Sequence, residues 1–427
     1  MGGGKRGGEA LEPATFRTFC LALAVGLALT GLARAESLPV VTDARLAGDD
    51  KETRLVLDLS RKVDIRAFTL ADPYRVVVDL SQVNFQLPEK TGERGRGLVK
   101  AFRFGLVMQG GSRIVIDTAK PVRVDKAFVL DPSGGQPARM VLELAATDRE
   151  SFMRTIAIES RATRQRETAR RVGEPAARAD NDPRPVVVID PGHGGIDTGT
   201  RAANGDSEKT IVLDFALMLR DKIEKTGKYR VMMTRSDDTF VPLNERVRLA
   251  RSNQAQLFIS IHCDALAKGE GEAQGATIYT VSDKASDTEA AKLAEKENKA
   301  DVIAGVDLST EAEDIADILF DLAQRETKAF SVHFARTLAG QLKVSARLHK
   351  HPLKSAGFIV LRAPDVPSVL VELGYVSNEQ DFKQLTSDAW RSKVGDSIVQ
   401  AVHTFFATRL AGGNAAASGS GTAGGRN

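Results

Sequence analysis

From residue 36 to about residue 147, apolar and polar positions alternate in short runs, the period-two signature of half-buried strands. Thr53-Arg54-Leu55-Val56-Leu57-Asp58 continues to Val63-Asp64-Ile65-Arg66-Ala67-Phe68-Thr69-Leu70 and closes with Tyr74-Arg75-Val76-Val77-Val78-Asp79-Leu80. The pattern recurs as Ser112-Arg113-Ile114-Val115-Ile116-Asp117, Val122-Arg123-Val124-Asp125-Lys126-Ala127-Phe128-Val129-Leu130 and Ala138-Arg139-Met140-Val141-Leu142-Glu143-Leu144, offset by 59 residues in its first two segments. Asp72-Pro73 and Asp131-Pro132 mark turns at equivalent places. This predicts a small all-β sandwich over 36–147, in which two half-sheets, one per copy, bury their apolar faces on each other. No His or Cys lies between Leu38 and Thr147, so a non-catalytic binding or targeting module is expected.

The period changes after Pro185. Val186 to Asp190, Arg230 to Thr234, Leu257 to His262, Ala276 to Val281 and Ser368 to Leu373 read as strands. Ser207 to Lys225, Leu243 to Asn253, Phe330 to Leu342 and Ser392 to Leu410 read as amphipathic helices. Alternation of this kind predicts an α/β domain over 185–410, a mixed sheet flanked by helices. Residues 148–184, rich in Arg, Ala and Glu, read as a basic linker with a helical start at Phe152 to Ile158. The Gly, Ala and Ser tail 411–427 is expected to be disordered. At the other end, Lys5, Arg6 and Arg17 precede a 13-residue apolar run, Cys20 to Leu32, followed by Ala33-Arg34-Ala35. A membrane anchor needs about 20 apolar residues, so residues 1–35 read as a cleavable export signal, with no membrane span afterwards.

Composition narrows the classes. With 42% apolar and 27% charged residues the chain is globular, and 59 basic against 56 acidic residues leave a net charge of +3, too small for a dedicated nucleic-acid binder. Aromatics at 5% disfavour a carbohydrate site walled by stacked rings. Of the two cysteines, Cys20 lies in the export signal, so Cys263 is alone after cleavage and an internal disulfide is excluded.

Four polar residues stand where predicted strands hand the chain to loops, the places where α/β chemistry concentrates. His193 follows the first strand in Asp190-Pro191-Gly192-His193-Gly194-Gly195, and Glu208 opens the next helix. His262 closes Leu257-Phe258-Ile259-Ser260-Ile261, and Glu372 lies in the apolar strand Ser368-Val369-Leu370-Val371-Glu372-Leu373-Gly374. Two imidazoles and a carboxylate form a catalytic zinc set with one position open to water, and His193, Glu208 and His262 can supply it. Glu372, costly to bury without a partner, is left as the acid/base for amide cleavage. Cys263 is an alternative soft ligand, although strand alternation points it away from the face His262 uses. His333 and His403 fall in amphipathic helices and read as structural; His349 and His351 could flank a cleft, though nothing in their spacing requires it.

Val188-Ile189-Asp190-Pro191-Gly192-His193-Gly194-Gly195, Ser207-Glu208-Lys209, Ser260-Ile261-His262-Cys263-Asp264 and Val371-Glu372-Leu373-Gly374-Tyr375-Val376-Ser377-Asn378 resemble, in this order, the motifs of zinc-dependent N-acetylmuramoyl-L-alanine amidases. The doubled β region is similar to the AMIN domain that precedes such catalytic domains in division-associated envelope amidases. The resemblance implies Zn2+ held by His193, Glu208 and His262, Glu372 as the catalytic glutamate, and peptidoglycan as substrate, cut between N-acetylmuramic acid and L-alanine during septal splitting in the periplasm. A monomer is expected. Two other functions compete: a non-catalytic wall-binding protein, and a zinc peptidase acting within the stem peptide. Cys263 departs from the small Ala usual after the second histidine, and Thr198 stands where Pro is common.

Between the strand ending at Val281 and the helix expected near Phe330 lies an insertion, about 282–328, too long for an ordinary connection. Thr288 to Ala300 has high helix propensity, and Glu311 to Arg325 places Ile315, Ile318, Leu319 and Leu322 on one helical face, an apolar stripe suited to a partner. In the division-associated branch, the corresponding insertion resembles a lid whose glutamate fills the zinc's open position until a LytM-type activator withdraws it. By that resemblance Glu295 or Glu297 is the blocking residue here, with Glu289 behind them.

Overall fold

In this computed structural model the described residues are 1–3, 37–107, 110–158, 182–265, 273–306 and 318–418. The expected export signal from residue 4 onward, most of the basic linker and the part of the Glu311 to Arg325 helix up to residue 317 lie outside them.

Nine strands build the N-terminal domain: β1 (Val40–Gly48), β2 (Glu52–Leu59), β3 (Ile65–Leu70), β4 (Arg75–Ser81), β5 (Asn84–Phe85), β6 (Val99–Val107), β7 (Gly111–Thr118), β8 (Val122–Leu130) and β9 (Ala138–Ala146). They form two sheets, β5-β1-β2-β9-β8 and β3-β4-β7-β6. The sandwich is present, but its halves are not the two copies. One sheet takes β2 from the first copy and β8 and β9 from the second, and the other takes β3 and β4 from the first and β7 from the second, because the chain crosses between sheets inside each copy, after β2 and after β7. Central pairings β2 with β9 and β4 with β7 therefore join one copy to the other, so neither copy has a sheet of its own. Leu55, Leu57, Val76, Val78, Ile114, Ile116, Leu142 and Leu144 fill the space between the sheets.

A helix at 149–158 (α1) follows, and Phe152 is buried edge-on against Tyr74 with ring centroids 5.2 Å apart. The second domain comprises β10 (Val186–Pro191), α2 (Glu208–Glu224), β11 (Arg230–Met233), α3 (Leu243–Ser252), β12 (Leu257–His262), β13 (Ala276–Val281), α4 (Thr288–Glu297), α5 (Ala300–Ile303), α6 (Ile318–Leu342), β14 (Leu348–Ala356), β15 (Ser368–Glu372), α7 (Glu379–Leu385) and α8 (Asp388–Ser418). Its sheet runs β11-β10-β12-β15-β13-β14, parallel except where β13 meets β15. Runs such as Val186-Val187-Val188-Ile189 are apolar at every position because both faces are covered. On one face α2, α6 and α8 pack Phe215, Phe334 and Phe405 against Ile259 and Val369; on the other, Phe258, Tyr279 and Leu370 meet Ala290, Leu293 and Ala294 of α4.

Three differences from the sequence reading have local causes. β14 was not expected, since Leu348-His349-Lys350-His351-Pro352 is polar and contains a proline; an edge strand tolerates both. Helix α6 begins at Ile318, earlier than Phe330, because the apolar spacing of the insertion's second half continues into it. Helix α8 runs to Ser418, so the first part of the expected disordered tail continues the helix.

Candidate active site

Strands β10, β12 and β15 lie side by side and end together, which sets His262 opposite Glu372 in register and places the loop after β10 beside them. That loop is splinted from below by two arginines. Arg246 on α3 donates to Asp190 Oδ1 at 2.7 Å, to Pro191 O at 2.8 Å and to His193 O at 2.7 Å. Arg235 donates to Pro191 O at 3.0 Å, Gly192 O at 2.7 Å and Lys209 O at 2.8 Å. So held, His193 adopts a left-handed φ of +58°, a costly conformation for a non-glycine residue that aims its ring into the site. Gly192 cannot carry a side chain here: a Cβ would stand 2.3 Å from the His262 ring.

Asp190 is fully buried. Burial pushes its carboxyl up, but Arg246, with Ser260 and Thr234, holds it below the ordinary carboxylate range. Arg246→Ala is expected to destabilise the protein by about 3–5 kcal/mol, because it leaves a buried charge unpaired. A carboxyl held low stabilises above its unfolded pKa and loses that contribution as pH falls through its folded value, so the penalty should shrink once the pH falls below about 4. Urea unfolding of both proteins at neutral and acidic pH measures this; an equal penalty at both would contradict the pairing.

Four side-chain atoms converge. His193 Nε2 lies 3.1 Å from Glu208 Oε1 and 3.4 Å from Glu297 Oε2, and His262 Nδ1 lies 3.4 Å and 3.3 Å from the same two oxygens. All four residues are buried, and neither imidazole nitrogen has a hydrogen-bond partner. Four donors held tetrahedrally at about 2.0–2.1 Å from one ion would be separated by about 3.3–3.4 Å, so the spacing fits a metal ion. Among the described residues His193, Glu208 and His262 form a metal-capable group, with donor atoms all within 4.8 Å of one another. The His193 ring is oriented by Asp197, whose Oδ2 is 2.9 Å from Nδ1. Glu208 accepts from Thr200 N and Cys263 N, each at 3.0 Å; burial would raise its carboxyl, yet His193 and His262 hold it well below the usual range.

Glu372 completes the cluster. Its Oε2 accepts from Asp264 N at 2.9 Å, while Oε1 is buried and unpartnered. Burial, then the neighbouring Asp264, Glu208 and Glu297, push its carboxyl well up.

The three glutamates of α4 occupy different settings. Glu297 faces the donor cluster, its carboxyl raised by burial despite the two imidazoles. Glu295 is exposed and pairs with Lys299 at 2.7 Å. Glu289 binds Lys354 at 2.7 Å and Tyr375 Oη at 3.0 Å, tying the first turn of α4 to the α/β body. Sequence spacing contained the distinction, since Glu297 continues the buried stripe Ala290, Leu293, Ala294 of α4 and Glu295 does not. Lys296, not anticipated, reaches into the site to Asp264 and, at 2.7 Å, Thr200 Oγ1. Arg235 and Arg246 were also missed, although Arg246 sits on the buried face of α3 with Leu243 and Ala250.

The remaining candidates stay out of the cluster. The Cys263 side chain is buried in the core behind the site, its thiol pushed well up by burial and by Glu208. His403 pairs with Tyr229 Oη at 2.8 Å, and His333 lies beside Phe405. His349 and His351 are in the edge strand β14, where His351 N donates to His349 Nδ1 at 3.1 Å.

A mixed α/β sheet whose carboxyl edge gathers two imidazoles and buried carboxylates defines a hydrolase with a donor set for a metal ion. The chain belongs to the N-acetylmuramoyl-L-alanine amidase family, Amidase_3, whose model matches residues 187–404, and its N-terminal sandwich matches the AMIN domain over residues 43–144. It is 32% identical to N-acetylmuramoyl-L-alanine amidase AmiC of Escherichia coli O6:H1 over 365 residues, 83% of this chain and 87% of that one. Identity to AmiC of Neisseria meningitidis serogroup B is also 32%, over 89% of this chain and 93% of the relative. The crystal structure of N-acetylmuramoyl-L-alanine amidase from Clostridium difficile 630 aligns with a TM-score of 0.38 at 23% identity, covering 53% of this chain and 98% of that one. The protein is thus a peptidoglycan amidase that hydrolyses the bond between N-acetylmuramic acid and L-alanine.

Proposed function

We propose that the enzyme is zinc-dependent, with His193, Glu208 and His262 as ligands, and that it rests in a blocked state with Glu297 across the fourth position. The observation that carries this is the placement of Glu297 Oε2 at 3.3–3.4 Å from both unpartnered imidazole nitrogens, on the insertion and not on the catalytic body. Two nitrogens and an oxygen suit zinc, which when bound lowers the pKa of a water in its open position toward about 7 and polarises a carbonyl.

The chain's own residues then have distinct tasks. Asp197 fixes the His193 ring, and the Asp264 N–H fixes Glu372 Oε2, leaving Oε1 to take a proton from the attacking water and pass it to the leaving nitrogen of L-alanine. Glu297 and Lys296 together occupy the space this chemistry needs, so α4 must withdraw before substrate enters. A LytM-type activator that binds the apolar stripe of the insertion is the partner expected to withdraw it. The AMIN domain would hold the enzyme on peptidoglycan in the periplasm, after export by a cleavable signal, for septal splitting and daughter-cell separation.

His262→Ala should empty the site, since one imidazole and one carboxylate remain as body ligands. Metal analysis should find about one zinc per chain in the parent protein and none in the variant. Full zinc occupancy in His262→Ala would overturn the ligand assignment. With the parent enzyme, chelator should abolish release of free L-alanine amino ends from sacculi.

A further inference from the structure

The AMIN sandwich does more than sit beside the catalytic domain: both belong to one compact unit, Pro39–Asn427. In sheet β3-β4-β7-β6 the face turned away from the sandwich core carries Leu70, Val77 and Val115, all buried, and they share a core with Ile196, Phe240, Ala300 and Ala304 of the catalytic domain. The unbroken apolar runs Val76-Val77-Val78 and Ile114-Val115-Ile116 reflect strands covered on both faces.

What this face holds is the short helix α5 of the insertion and the two residues that follow it. Arg75 donates to Val302 O at 2.6 Å, Arg103 to Ile303 O, and Arg113 to Ala304 O at 3.2 Å and Gly305 O at 3.1 Å. Three guanidinium groups from β4, β6 and β7 thus grip four consecutive carbonyls at the carboxyl end of α5, where the backbone is partially negative. Asp117 and Asp79, each at 2.6 Å, hold Arg103 and Arg113 in place. The contact is close: Gly305 has φ +66°, and a Cβ there would lie 2.8 Å from Val77 Cγ2 and 2.9 Å from Val115 Cγ2.

We propose that this face of the AMIN domain is an interaction surface for the insertion of its own chain, a clamp that keeps α4 and Glu297 in the active site. The proposal rests on the blocked state described above. It assigns the wall-targeting domain a second task, in which loosening its grip lowers the work an activator must do.

The test uses the full chain with two alterations made from opposite sides of the contact. Arg103→Gln with Arg113→Gln removes two of the three guanidinium contacts and leaves that of Arg75, and Gly305→Val pushes a side chain against Val77 and Val115 with the sandwich's own sequence unchanged. Each should speed backbone hydrogen exchange across residues 288–306 and raise activator-free hydrolysis of sacculi about tenfold, the change expected when a closed state loses part of its restraint. Unaltered exchange and rate in Gly305→Val would overturn the clamp, including the case where the double arginine variant fails to fold. Glu297→Ala in the same assays separates the two readings. If it is faster and the interface variants are not, the block stands and the clamp falls. If the interface variants loosen 288–306 and neither they nor Glu297→Ala gains activity, the clamp on the insertion stands and the block by Glu297 falls.

Discussion

Glu372→Gln is expected to slow amide hydrolysis by about 10²–10⁴-fold while leaving the metal content unchanged, the range that removal of a positioned general acid/base produces. Glutamine keeps the size of the side chain and an oxygen to accept from Asp264 N, so the buried register of β15 beside β12 is preserved. It loses the ability to carry a proton at the atom corresponding to Oε1. The effect is best read in a Glu297→Ala background, where relief of the block makes the chemical step visible. Single-turnover rates on a defined muropeptide, with zinc measured on the same samples, separate a lost proton carrier from a lost ligand. A variant that retains zinc and cleaves at the parent rate would remove Glu372 from the mechanism; one that loses zinc would make it a ligand.

Much of this site is legible in the sequence. His193, His262 and Glu372 each stand at or near the end of an apolar strand, and a polar residue in such a place is either costly or useful. Parallel neighbours β10, β12 and β15 then bring those ends together without further instruction from side chains. Other features were not legible for reasons of the same physical kind. Period-two alternation says which face of a strand is buried but not which strand lies beside it, so the exchange of strands between the two copies of the sandwich was out of reach. Arg246 and Arg235 act on backbone carbonyls of a loop remote in sequence, and a carbonyl leaves no mark in the amino-acid code. The same holds for the carbonyls of α5 gripped by Arg75, Arg103 and Arg113.

The insertion offers the second large effect, a gain of activity, and it depends on which glutamate is altered. Glu297→Ala should raise activator-free hydrolysis of sacculi by about ten- to a hundredfold, because a restraint that keeps the open state near one part in a hundred has that much to give back. Glu289→Ala should give a smaller rise: it strips Lys354, nearly fully buried in β14, of its closest partner and frees Tyr375, weakening the attachment of α4 at its first turn without changing what faces the two imidazoles. Glu295→Ala should change nothing, since that side chain is exposed and holds only a surface pair with Lys299. The graded series is more informative than deletion of residues 282–328. Deletion would uncover the core partners of Ala290, Leu293, Ala294, Ala300 and Ala304, remove the first turns of α6 and release the arginines of the sandwich, confounding relief of the block with loss of structure. In the point variants the fold is kept and zinc can be counted. If Glu297→Ala holds one zinc per chain and is no faster than the parent, Glu297 does not block the site, whatever its distance from the two imidazoles.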